Sequence, residues 1–223
     1  MILPPIPFQI NAVNALRQKA AIAHRAYEET RTPQVVSLQA PTGSGKTIMM
    51  ASLIETIYTG DAVFPEQPNA IFVWLSDSPE LNQQSKEKID LKADKIRPGQ
   101  TIVIDDASFD RETLEDGKIY FLNTQKLSKS GNLGKHSDNR QWTIWETLTN
   151  TANEKSDRLY FIIDEAHRGM QGGTAAGTAT SIMQRFIKGS EPHKLSPVPV
   201  IIGMSATSER FDKLIGKDTS SSL

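Results

Sequence analysis

Two groups of residues in this sequence have the types and spacing to handle a phosphate ester. The first is Ala40-Pro41-Thr42-Gly43-Ser44-Gly45-Lys46-Thr47. Gly43 and Gly45 can take backbone angles that other residues avoid, so successive N–H groups can turn inward on an anion. Thr42, Gly43, Ser44 and Gly45 would line that anion, and Lys46 would reach the β- and γ-phosphates of a nucleotide. The Thr47 hydroxyl is a candidate ligand for Mg²⁺. One position departs from the usual phosphate-loop pattern: it opens on Ala40 where glycine is the rule. Without a ligand, the same residues would be a Gly-rich turn from strand to helix.

The second group is Asp164-Glu165-Ala166-His167, directly after the apolar run Leu159-Tyr160-Phe161-Ile162-Ile163. A carboxylate at the carboxyl end of a parallel strand lies in the crevice where open α/β sheets bind ligands. Asp164 is therefore placed to hold Mg²⁺, directly or through water, opposite Thr47. Glu165 is the candidate base that orients and deprotonates an attacking water. His167 could contact phosphate, couple to a neighbouring loop or face solvent. Alone, the pair reads equally well as an exposed acidic turn. The upstream loop changes the balance, because phosphoryl transfer needs a Mg²⁺-binding partner.

Both groups require strands that end at one edge of a sheet. The apolar runs at 35–38, 70–75, 101–104, 119–122, 159–163 and 199–202 read as strands. Helical spacing recurs between them. Ile10, Val13, Leu16 and Ala20 follow Pro7, which suits the first turn of a helix. Residues 47–58, 79–89, 142–148 and 182–187 give further helices, and Ser128 to Arg140 reads as an exposed loop. Residues 169–177 form a Gly/Thr stretch. Strands alternating with helices imply right-handed crossovers, a mostly parallel sheet and helices on both faces. No repeat and no interdomain linker interrupts residues 1–223, so one α/β domain is expected.

Composition narrows the chemistry further. The chain has no cysteine, which excludes disulfides, thiolate chemistry and cysteine-ligated zinc and fits a cytoplasmic setting. No apolar run approaches the roughly 20 residues of a membrane span. A formal net charge of −1 gives no global attraction for nucleic acid, so any such contact must be local. Lys126, Lys129, Lys135 and Arg140 fall in or beside the 128–140 loop and could touch phosphates, or simply face solvent. Lys86, Lys88, Lys92 and Lys95 alternate with acids, the pattern of a charge-laced helix surface. Trp74, Trp142 and Trp145 read as core rather than as stacking platforms.

Taken together, these residues resemble the superfamily-two helicases. The loop at 40–47, the Asp-Glu-Ala-His box at 164–167 and Ser205-Ala206-Thr207 match that family's motifs I, II and III in order. Phe8-Gln9 is similar to its adenine-reading glutamine motif, and 122–127 looks like motif Ib. The resemblance spans about residues 8–210. It implies a RecA-like P-loop domain, the first of a tandem pair, with ATP and Mg²⁺ as cofactors. By that carry-over, Phe8 and Gln9 would meet the adenine, and Ser205 and Thr207 would couple nucleotide state to nucleic acid. Thr124, Gln125 and Lys126 would lie along the nucleic-acid track.

Asp-Glu-Ala-His-Arg-Gly before a Gly/Thr stretch looks most like the motor subunit of type III restriction enzymes and related DNA translocases. DNA is thus favoured over RNA, with further subunits as possible partners. The family's second RecA-like domain carries arginines that complete the ATP site, and none is expected within these residues. The expectation is a chain that binds Mg-ATP, hydrolyses it slowly alone, and belongs to a motor that moves on DNA. The alternatives are a P-loop ATPase with no nucleic-acid role and an RNA helicase of the Asp-Glu-Ala-His type.

Overall fold

Pro7 opens α1 (Pro7–Thr30), where its missing N–H would have had no helical partner. Val13, Leu16, Ala20, Ala23 and Tyr27 form the buried stripe of this helix. Ile10, expected on the same stripe, is 44% exposed, because the stripe begins one turn later. Arg31 ends the helix in a left-handed conformation, and its N–H bonds Tyr27 O at 2.7 Å. The computed structural model of the chain describes residues 6–127, 132–164, 184–191 and 194–206.

After α1 the chain runs through β1 (Gln34–Gln39), α2 (Lys46–Thr59), β2 (Ile71–Ser76) and α3 (Pro79–Lys92). It continues as β3 (Thr101–Val103), β4 (Ile119–Asn123), α4 (Ile144–Glu154), β5 (Leu159–Ile163) and β6 (Val200–Ser205). The strands form one sheet in the order β1-β6-β5-β2-β4-β3, and every pairing among them is parallel. Every residue of β2, β4, β5 and β6 is buried, as expected of parallel strands covered on both sides.

Alternation along the strands divides the core into two layers. Phe72, Trp74, Phe121, Tyr160, Ile162, Ile202 and Met204 face α1, α2 and α3. Val73, Leu75, Leu122, Phe161, Ile163 and Ile201 face α4 and the short helix at 184–188. This is the α/β arrangement that the order of apolar runs implied, with helices on both faces.

Most element ends shift by one to three residues from the sequence reading, and larger differences have identifiable causes. The helix expected at 142–148 runs from Ile144 to Glu154, because Thr143 caps it: its hydroxyl accepts from Glu146 N, and Glu146 answers Thr143 N at 2.8 Å. The last strand reaches Ser205 rather than residue 202. The loop expected to be exposed at 128–140 is partly internal. Leu133 is fully buried, and Arg140 is only 7% exposed. The Gly/Thr stretch at 169–177, like residues 182 and 183 of the expected helix, lies outside the described residues.

Candidate functional site

The phosphate-loop residues connect β1 to α2, the strand-to-helix context that their chemistry requires. Gly43 and Gly45 sit at φ +82° and +87°, a conformation that strains any residue with a Cβ. Gly45 caps α2, and its carbonyl takes the Met49 N–H at 2.9 Å. The N-terminal end of α2, with its positive partial charge, therefore faces the loop. Ala40 N donates to Ser205 O at 3.1 Å, which ties the start of the loop to the end of β6.

Lys46 is 8% exposed, and its ammonium donates to Ala40 O at 3.1 Å and Pro41 O at 3.3 Å. It thus lies across the mouth of the loop. Ser44 Oγ is buried without a hydrogen-bond partner, although a buried hydroxyl usually has one. A phosphate oxygen is an acceptor of the kind that hydroxyl could donate to. Gln9 Nε2 donates to Ser44 O at 2.9 Å, and its Oε1 accepts from Ile6 N at 3.1 Å. The glutamine so grips the loop from α1. Phe8 beside it is 50% exposed.

Asp164 follows β5 and is 7% exposed. Its N–H bonds Leu75 O at 2.9 Å, continuing the β2–β5 ladder by one residue. Its Oδ2 accepts from the Trp74 indole N–H at 3.3 Å. β6 lies between β1 and β5, so two strand spacings separate the loop from Asp164, about 10 Å of backbone. Thr47 and the Asp164 carboxylate, on either side of that gap, are oxygen donors of the kind that would hold Mg²⁺. Among the described residues, no three His, Cys, Asp or Glu side chains gather as a metal cluster. Mg²⁺ in nucleotide sites needs none, since one or two protein oxygens and the phosphates suffice.

Ser205 ends β6 between the two groups and is buried. Glu165, His167 and Thr207 lie outside the described residues. Thr124, Gln125 and Lys126 form a 3₁₀ turn after β4, on the same edge of the sheet but beyond β5 and β2. Thr124 is buried, and Gln125 is exposed and donates to Asp77 O at 3.2 Å. The Lys126 ammonium pairs with Asp106 at 2.8 Å and bonds Ile104 O at 2.8 Å. Arg140 bonds the carbonyls of Phe109, Asn132 and Asp106. Lys135 is exposed. Trp74 and Trp145 are core residues, as expected, whereas Trp142, expected with them, is only half-buried. What the sequence concealed is the Trp74 contact with Asp164: the partners are 90 residues apart and no local pattern marks them.

A parallel sheet that brings a glycine-rich loop, a buried lysine and a buried aspartate to one edge has the arrangement of a P-loop α/β domain. The chain belongs to the family described as type III restriction enzyme, res subunit, whose model matches residues 2–210. Among solved structures it resembles the UvsW helicase of bacteriophage T4, at 11% identity and TM-score 0.45, over 95% of this chain and 57% of that one. It also resembles an S. cerevisiae Dbp5 variant bound to RNA and ADP-BeF3, at 15% identity and TM-score 0.47, over 94% of this chain and 48% of that one. The helicase MrfA bound to DNA matches at 18% identity and TM-score 0.46, over 97% of this chain and 29% of that one. The chain thus spans 29% to 57% of the length of these structures. A search of curated proteins found no match.

Proposed function

We propose that this chain is the ATP-binding, first RecA-like half of a motor that couples Mg-ATP hydrolysis to movement on DNA. The observation that carries the reading is the facing pair at the sheet edge. A loop with two left-handed glycines and a buried lysine lies two strands from the buried carboxylate of Asp164.

In this reading Gly43, Ser44 and Gly45 present N–H groups to the phosphates, and Lys46 neutralises their charge. Phe8 and Gln9 border the adenine. Thr47 and Asp164 hold Mg²⁺, which supplies positive charge to the phosphate oxygens as the terminal bond breaks. Water attacks the γ-phosphorus, its proton passes to Glu165, and the electrons of the broken P–O bond leave with ADP. His167, Ser205 and Thr207 relay nucleotide state to the nucleic-acid track at Thr124, Gln125 and Lys126. A second RecA-like domain in a longer polypeptide supplies the arginines that complete the site, and further subunits can assemble on that frame.

One observation favours a second reading, a P-loop ATPase with no nucleic-acid role: Lys126 and Arg140 spend their charge on internal partners. Calorimetric titration of Mg-ATP into the chain tests the proposal, with binding expected for the parent and lost in Lys46→Ala. Equal binding by both would remove the loop from the site. Phosphate release with DNA, RNA or neither then separates the two readings.

A further inference from the structure

Trp74 sits in the middle of the sheet, fully buried, with Phe121 of β4 and Ile162 of β5 as its neighbours in register. Its ring packs against Phe121, with centroids 5.7 Å apart. A phenylalanine would serve that packing as well. What tryptophan adds is one donor, the indole N–H, which a buried tryptophan must satisfy. Here the acceptor is Oδ2 of Asp164, in a buried bond of 3.3 Å. The backbone of the next residue on the same strand, Leu75, takes the Asp164 N–H. β2 therefore grips Asp164 at both main chain and side chain.

We propose that Trp74 is a positioning residue for Mg²⁺: its indole N–H fixes the Asp164 carboxylate in the rotamer that receives the cation. The inference rests on the proposed Mg-ATP site. A donor on one carboxylate oxygen restrains rotation about Cβ–Cγ and turns the second oxygen to a set direction. Outer contacts of this kind orient metal ligands and are worth about 10- to 100-fold in metal affinity.

The test is the Mg²⁺ dependence of binding of the β,γ-imido analogue of ATP, for the parent and Trp74→Phe. The expected result is a Mg²⁺ requirement raised about 10-fold in the variant, with unchanged affinity for the analogue in EDTA. A purely structural role would weaken both bindings together. Should Trp74→Phe fail to fold, 3-benzothienylalanine at position 74 keeps the ring shape and replaces only the N–H by sulfur. The same pair of titrations then applies. An unchanged Mg²⁺ requirement in a folded variant overturns the inference and leaves the proposed function standing. A parent that binds no nucleotide overturns both.

Discussion

At the scale of single residues, the two left-handed glycines of the loop differ in one respect. A Cβ on Gly43 meets nothing within 4 Å, whereas one on Gly45 would fall 2.5 Å from Gln9 Nε2. The backbone cost of a left-handed alanine is about 1–2 kcal/mol at either position. Gly43→Ala should therefore lose about that much stability in urea unfolding, and Gly45→Ala somewhat more, because the flexible end of Gln9 must give up its bond to Ser44 O to move aside. Adding Gln9→Ala to Gly45→Ala should narrow the gap between the two, because the side chain in the way is then gone. If the gap persists in the double variant, Gln9 does not press on the loop in solution. This experiment also bears on function, since the same amide that meets Gly45 holds Ser44 O.

At the scale of elements, the turns and caps carry what the apolar pattern leaves open. Thr143 and Glu146 cap α4 reciprocally, so Thr143→Ala should cost about 1 kcal/mol in chemical denaturation. Arg140 joins three carbonyls from two separate stretches, at Phe109 and Asp106 and at Asn132. Arg140→Ala strands those acceptors and should cost about 2–3 kcal/mol. Lys135→Ala, on the exposed side of the same segment, should stay within about 0.5 kcal/mol. Equal effects from both would return Arg140 to the surface. These cases show what could be read from the chain alone. Buried parallel strands announce themselves as continuous apolar runs, so β2, β4 and β5 were legible to within a residue. The loop at 40–47 was legible because its glycines, lysine and threonine are adjacent in sequence. Arg140 was not, because a guanidinium bonded to distant carbonyls has the same local signature as a solvated one. The burial of Trp74 was foreseen, but its bond to Asp164 was not, because that acceptor lies 90 residues away, just past the end of another strand.

At the scale of the whole molecule, the formal net charge of −1 means that long-range attraction will not bring DNA to this chain. The site edge also offers few uncommitted cations among the described residues, with Lys126 paired and Arg140 internal. In the proposed motor, much of the grip on nucleic acid therefore has to come from the partner domain, as do the arginines that finish the ATP site. Both requirements point to the same outcome. The chain alone should bind Mg-ATP yet release phosphate slowly, with little response to DNA. A longer polypeptide carrying the second RecA-like domain should turn over about 10³-fold faster or more, the scale of an arginine finger. That stimulation should depend on DNA and fade as salt rises, because phosphate contacts release counterions. Steady-state phosphate release by the two proteins, with DNA, with RNA and without either, measures all of this in one series. Fast turnover by the chain alone would mean that its site is already complete, and stronger stimulation by RNA would reassign the track.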